Sequence, residues 1–391
     1  MVTVLVTDPE QRAALAAARS LARAGYRVVT IGVQPGLAAA SRAVAVHVTL
    51  PAPSQNAPER LREAVREAVA AHKAQVVLPV TDRASRALLG AHLHGALVAG
   101  PTPEAYEVAS DKALLMQRAP ELGIRVPGQV VLEHPSDLQE AEPRAGAWVI
   151  KPARSVVEHN GKSLSLSVRF AADWAEVVQA VAAYPPAAYP LMIQERVFGQ
   201  GLGVFLLRRE GHTLLSFGHR RLREKPPAGG VSTYREALAP SVDLVQRCEA
   251  LLDSLGYEGP AMIEFKEDAA TGQPVLMEIN ARLWGSVQLA IDAGVDFPAA
   301  LVAATLGQPI PESPVVRHGT RTYWELGELD HALAIWRKSA EQLAAPPDLR
   351  LGARAALRAL ADRRWADRPE VFRWSDPMPF VVELLRWIRR Q

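Results

Sequence analysis

Two acids and an amide stand close enough in this sequence to share one ion. Pro274–Asn280 reads Pro-Val-Leu-Met-Glu-Ile-Asn, an apolar strand interrupted by Glu278 and Asn280. Side chains two apart on a strand point to the same face, so Glu278 and Asn280 share one. A second short apolar strand, residues 261–266, carries Glu264. The segment between, residues 267–273 with Thr271 and Gly272, reads as a hairpin connection. Such a hairpin brings Glu264 beside Glu278. Oxygen donors converging from rigid strands suit Mg²⁺, a hard cation. A metal–phosphate site is expected there rather than a structural ion pair.

A second cluster offers the opposite charge. Residues 217–233 hold His219, Arg220, Arg221, Arg223 and Lys225, followed by a Pro-Gly segment with Gly229, Gly230 and Ser232. Guanidinium groups bind carboxylate and phosphate through paired hydrogen bonds, and adjacent glycines let a ligand approach the backbone. Substrate or phosphate recognition is the sharper reading; a solvated edge strand and loop is the plainer one. Arg282 follows Asn280 by two positions, placed to meet a transferred phosphoryl group or, alternatively, to form a salt bridge. Trp284 reads as core. Upstream, Ser110 is expected to cap a helix that carries Lys112 in its first turn. A cation there opposes the helix dipole and asks for an anion nearby.

The elements that must hold these groups follow from the pattern. Residues 1–100 alternate short apolar strands with helices, beginning with a strand at residues 2–6 and an alanine-rich helix at 10–24 ended by Gly25. This rhythm predicts a parallel α/β sheet. The first loop, Thr7-Asp8-Pro9-Glu10-Gln11, lacks the Gly-x-Gly-x-x-Gly of a dinucleotide fold, so NAD binding by this half is excluded. Asp82 ends a later strand and reads either as a substrate-side contact or as a helix N-cap. A glycine-rich run at 199–203 reads as a turn into a strand at 204–207. Helices are expected at 242–255 (with Cys248 as a core residue), 287–293, 326–343, 351–360 and 379–390, with a linker at 309–314. The 391 residues carry 44 basic and 42 acidic side chains, a balance with no general pull toward nucleic acid. The single cysteine excludes an internal disulfide framework. No run reaches a membrane span of roughly 18 apolar residues, and the first residues lack a signal-peptide pattern; a cytoplasmic location is expected.

The motifs in order resemble one superfamily, the ATP-grasp ligases. An acid on one strand and Glu-x-Asn on the next resemble its metal strands. Asp111-Lys112, Trp148-Val149-Ile150-Lys151-Pro152, and Leu191–Glu195 with Arg196 and Val197 resemble its first lysine, second lysine and adenine-holding hinge. The resemblance runs from about residue 105 to residue 308. It implies ATP with Mg²⁺ or Mn²⁺ as cofactors, and Glu264, Glu278 and Asn280 as metal ligands. It further implies nucleotide contacts from Lys112, Lys151, Gln194, Glu195 and Val197. The polar segment 154–163 would be a lid over the phosphates, and no acid stands at the usual ribose position. Arg282, Arg221 and Arg223 would be the catalytic cations; His219, Arg220, Gly229, Gly230 and Ser232 would face the substrate.

The implied architecture is α/β, with α+β nucleotide domains. A parallel α/β domain (1–104) would precede two ATP-grasp halves (105–195 and 196–308) and a helical C-terminal extension (309–391). The run 217–233 resembles a bacterial branch of carboxylate–amine ligases, implying that a small carboxylate is joined to an amine through an acyl phosphate. Carboxyphosphate chemistry and a non-catalytic nucleotide-binding regulator stay open as alternatives; no Met-Lys-Met biotin attachment motif occurs. Homodimerisation is also open. The basic, amphipathic last helix is expected to pack on the body, with docking to a partner or a membrane surface as the alternative.

Overall fold

The computed structural model describes residues 1–51, 57–139, 145–310 and 315–389. The amino-terminal part comprises β1 (Thr3–Thr7), α1 (Arg12–Arg23), β2 (Arg27–Gly32), β3 (Val46–Thr49), α2 (Pro58–His72), β4 (Val76–Leu78), α3 (Asp82–Leu88) and β5 (Leu97–Val98). Its sheet has the order β3-β2-β1-β4-β5, with every neighbouring pair parallel. The strand order reverses between β1 and β4, where the loop after β4 is joined to the end of β1 by the Val80 N–H donating to the Thr7 hydroxyl at 3.1 Å. Such switch points leave a crevice beyond the carboxyl ends of the strands. β1 is buried throughout, as a strand covered on both faces must be. Gly25 at φ +85° supplies the left-handed residue just past α1.

The chain continues with α4 (Pro103–Ser110), α5 (Lys112–Arg118), β6 (Gln129–Leu132), β7 (Trp148–Pro152), β8 (Val156–His159), β9 (Lys162–Ser165), β10 (Arg169–Ala171), α6 (Trp174–Ala182) and β11 (Leu191–Glu195). Four of these strands form a sheet of order β10-β7-β11-β6. The segment expected to form a lid is the separate hairpin β8–β9, turning at Asn160 and Gly161.

A third sheet holds β12 (Gly199–Arg209), β13 (His212–Lys225), β14 (Val231–Leu238), β15 (Gly259–Asp268) and β16 (Pro274–Asn280). Helices α7 (Val242–Ser254), α8 (Val287–Ala293) and α9 (Phe297–Thr305) accompany it. The last part adds β17 (Arg321–Tyr323), α10 (Glu325–Arg337), α11 (Ala353–Ala361), β18 (Arg368–Pro369) and α12 (Met378–Ile388). The sheet order is β16-β15-β12-β13-β14-β17-β18.

Several expectations need correction. The glycine-rich run 199–203 is not a turn: it opens β12, which pairs with both β13 and β15. The arginine-rich strand is interior to the sheet, not an edge. Asp111, not Ser110, caps α5 by accepting from the Leu114 N–H at 3.1 Å; Ser110 donates instead to the Glu107 carbonyl. Thr81 caps α3, accepting from the Ala84 N–H, which leaves Asp82 free for another partner. The carboxy-terminal part is not purely helical. Its strands β17 and β18 extend the third sheet, and α10 stops at Arg337 because the backbone turns extended at Lys338. Residues 311–314 of the expected linker and Arg390 of the last helix lie outside the described residues.

The carboxy-terminal part is stitched to the rest by buried charge. Arg19 of α1 meets Asp376 at 2.8 Å, and Glu370 pairs with both Arg12 and Arg235. Burial works to raise the Glu370 carboxyl, but the two guanidinium groups outweigh it and hold it below the usual range. Helix α12 packs through Trp324 and Trp387, whose indoles involve Glu383 and Asp330, and leaves Met378, Val381, Leu385 and Ile388 exposed. Among the described residues no single helix is long and apolar enough to cross a membrane.

Candidate functional site

The antiparallel pairing of β15 with β16 sets Glu264 directly opposite Glu278, and Met262 opposite Asn280. The Asn280 amide donates to a Glu278 oxygen at 3.2 Å. On the other side of β15, Gly203 stands opposite Glu264 and Gly201 opposite Lys266. These glycines leave the space that the neighbouring side chains use. A Cβ built on Gly201 would lie 2.7 Å from the Arg221 Cδ, and one on Gly203 would lie 2.7 Å from the Phe205 ring. Arg221 enters this hollow, pairing with Glu264 at 2.5 Å and with Glu224 at 3.0 Å and donating to the Gly230 carbonyl.

Both predicted lysines reach the acids from the other two layers. Lys112, the first residue of α5, donates to the Ser155 hydroxyl at 2.8 Å and lies 3.3 Å from Glu278. Lys151, central in β7, donates to the Met277 carbonyl at 3.1 Å. Burial, reinforced by the Lys112 charge, pulls the Lys151 amine down to about 8. Glu278 is held below the usual range because Lys112 and Lys151 override the effect of its burial. Glu264 goes the other way: burial raises it, and its single arginine does not compensate.

These groups face one cavity of about 410 Å³, lined among others by Lys151, Gln194, Glu195, Val197, Arg221, Glu264, Glu278, Asn280 and Arg282. Gly229, Gly230 and Ser232 line it from the loop. Lys112 touches it only through Glu278, from a small recess behind. Gln194 is buried and donates to Gln129, whereas Glu195 is exposed at the end of β11. Arg282 donates to Asp82 at 2.8 Å and to the side-chain amide oxygen (Oδ1) of Asn280 at 3.3 Å. Burial acts to lower the Arg282 guanidinium, yet the Asp82 carboxylate outweighs it and raises it further. Arg282 thus closes the crevice of the first sheet against the acids of the third.

Three of the expected contacts do not reach this cavity. His219 shares the face of Arg221 but lies one pleat deeper, fully buried against Phe205 at a centroid distance of 4.6 Å. Neither ring nitrogen has a hydrogen-bond partner, and burial drives its basicity far below the usual value. Arg220 points to the opposite face, where it meets Glu236 at 3.1 Å. Arg223 lies beyond a register shift and forms a paired contact with Glu328 at 2.6 and 2.8 Å. It borders a neighbouring cavity of about 720 Å³ instead.

Other cavity residues were not singled out by the sequence. Lys266 follows Glu264 by two positions, so the two-residue strand period already put it on the same face; among the described residues it has no carboxylate partner. Glu224 fixes Arg221. Arg12 enters from α1, 4.0 Å from the Trp324 ring centroid, and no local motif marks it.

Among the described residues no three His, Cys, Asp or Glu side chains converge. The donor set is two carboxylates and one amide, all oxygen, with one cation now resting on each acid. Hard oxygen donors of this kind fit a magnesium-type ion that keeps water and phosphate as its remaining ligands, so the residues present fit such a cation.

Residues 187–327 match the family described as ATP-grasp in the biosynthetic pathway with Ter operon. Solved structures of similar fold include an L-amino acid ligase from Bacillus licheniformis. It is 17% identical at a TM-score of 0.58, over 78% of this chain and 74% of that one. A biotin carboxylase from Campylobacter jejuni is 15% identical at 0.62, over 82% and 74%. An N5-carboxyaminoimidazole synthetase from Staphylococcus aureus, complexed with ADP, is 12% identical at 0.60, over 82% and 81%. No curated protein matches the chain. The chain thus shares the ATP-grasp fold over most of its length, and its match to an ATP-grasp family covers the segment that carries Glu264, Glu278 and Asn280.

Proposed function

We propose that the protein is an ATP-dependent ligase that activates a small carboxylate as an acyl phosphate and joins it to an amine. One observation carries this reading: Lys151, Glu264, Glu278, Asn280, Arg221 and Arg282 converge on a single cavity beside the end of β11. Similar folds in an L-amino acid ligase and in an ADP-bound synthetase support it.

In this reading Lys112 and Lys151 bind phosphate oxygens, and residues 194–197 hold the base. Glu264, Glu278 and Asn280 hold Mg²⁺ or Mn²⁺, which when bound neutralises phosphate charge. A carboxylate oxygen of the substrate attacks the γ-phosphorus, and the bond to the ADP oxygen breaks. The amine nitrogen then attacks the activated carbonyl carbon, phosphate leaves, and the nitrogen gives up a proton. Arg282 and Arg221 neutralise the charge that gathers on the acyl phosphate, and the chain supplies chiefly orientation and preorganised charge.

The test is nucleotide release with a panel of carboxylic acids and hydroxylamine as a trapping amine. ADP and a hydroxamate are expected. AMP release would overturn phosphoryl transfer. ADP release with bicarbonate alone would move the reading to carboxyphosphate chemistry.

A further inference from the structure

The loop at residues 226–230 forms one wall of the cavity, yet its own sequence holds it poorly. It contains two prolines, an alanine and two glycines, and it springs from a strand end with two register shifts, one on each side of Arg223. What fixes it comes from elsewhere. Glu328 of α10 is 2% exposed. One of its oxygens accepts two bonds from Arg223 on β13, at 2.6 and 2.8 Å; the other accepts from the Thr233 hydroxyl on β14, at 2.7 Å. A single carboxylate therefore ties together the two strands that flank the loop. Asp330 pairs with Lys225, and the His331 ring sits 2.7 Å from the Glu224 carbonyl, so two further residues of α10 grip the same strand end.

The helix is shaped to come this close. Gly327 sits against β14, and a Cβ there would lie 2.9 Å from the Thr233 methyl and 2.2 Å from the Trp324 ring. The connection then runs inward. Glu224 and the Gly230 carbonyl both hold Arg221, and Arg221 holds Glu264. Without Glu328 the largely buried Arg223 would keep only Asp362, at 3.6 Å, as a carboxylate partner, so the contact is not a neutral ornament.

We propose that Glu328 is a positioning residue for the metal side of the site: by clamping β13 to β14 it sets the loop 226–230 and, through Arg221, the orientation of Glu264. This deepens the ligase reading, although the clamp itself is testable without ligase turnover. Partners that orient metal ligands from outside typically change metal affinity by roughly 10–100-fold when removed.

The experiment compares the wild-type chain with Glu328→Gln, Glu328→Ala and Thr233→Val. Hydrogen exchange is read on peptides covering residues 226–232 and on the β1 and β4 strands. ADP binding is titrated by calorimetry with and without Mg²⁺. For Glu328→Ala, exchange in the loop should rise at least about tenfold while β1 and β4 stay unchanged. The Mg²⁺-dependent gain in ADP affinity should fall about tenfold or more, with metal-free ADP affinity unaltered. Glu328→Gln, which keeps the shape and part of the bonding, should lie between. Thr233→Val removes one bond at one end and should show a smaller shift in the same direction, which keeps the test alive if Glu328→Ala does not fold. Unchanged loop exchange and unchanged Mg²⁺ dependence would overturn the clamp. A uniform rise in exchange across the molecule would overturn it too, by reducing Glu328 to a general packing residue. A wild-type chain that turns over no acid would overturn the ligase reading while leaving these measurements interpretable.

Discussion

The strands of residues 259–280 and the strand of residues 212–225 both carry rows of charged side chains, and they use them in opposite ways. On β15 and β16 the charges converge: Glu264, Lys266 and Glu278, with the neutral amide of Asn280, all face one hollow. On β13 they diverge. Arg220 goes to Glu236, Arg221 to Glu264, and Arg223 to Glu328, three carboxylates on three different elements. The contrast comes from alternation and from what faces each strand. Side chains at i and i+2 share a face, whereas neighbours at i and i+1 cannot. Arg220 and Arg221 part by that alternation, Arg223 parts from Arg221 through the register shifts beside it, and Glu264 and Glu278 meet because they stand opposite each other on paired strands.

Four measurements would break or sharpen that contrast. The largest effect is expected for Glu278→Ala, which should lower acid-dependent ADP release by roughly 10²–10³ while circular dichroism stays native. Retained turnover would remove convergence as the meaning of the acid pair. Next, Arg221→Ala should cost about 10² in the same assay, whereas Arg220→Ala should change it by less than about twofold, since its half-exposed guanidinium faces away from the cavity and Glu236 keeps Arg321 as a partner. Equal losses from the two would abolish the distinction between anchors on the two faces.

A third, intermediate effect concerns pH. Lys151 loses its charge as pH rises through about 8. ADP affinity should therefore decline above that pH by up to about tenfold per unit, and Lys151→Arg should flatten the decline. The sign for stability is opposite. Between about 8 and the ordinary value of 10.5 the unfolded chain binds more protons at this group, so Lys151 contributes stability that rises with pH in that window. A pH-independent ADP affinity would refute a phosphate role for this amine. The smallest catalytic effect is expected for His219→Leu. Turnover per folded molecule should hold within about twofold, and any change should register in the melting temperature, by a few degrees. A large fall in turnover at an unchanged melting temperature would return His219 to the site.

The pairing of the two acid-bearing strands was legible because its geometry is local. Period two, a short hairpin and three oxygen-bearing residues are enough to foresee that Glu264, Glu278 and Asn280 meet. The same rule would have found Lys266. The parallel sheet of the first hundred residues was legible for a similar reason, since alternating strands and helices leave few other packings. What failed depended on neighbours far along the chain. Nothing near His219 announces that Phe205 and Trp284 bury that pleat. Nothing near Arg223 announces Glu328, and nothing near Arg12 announces Glu370. The caps failed for a subtler reason. Ser110 and Asp111 are both good N-cap types, as are Thr81 and Asp82, and only the backbone decides which of two adjacent residues is extended.

The reach of α1 to Glu370 and of β13 to Glu328 bears on how the molecule comes into being. A chain still on the ribosome, with α10 not yet emerged, would already hold both lysines, both acids and the asparagine. It would lack the anchor of the loop and the counter-ion of Arg12. Such an intermediate would offer nucleotide a berth with a slack rim, and tautness would arrive only when the final stretch docks. Production of this protein in pieces, or with that stretch trimmed for convenience, should yield a binder of nucleotide that handles metal badly.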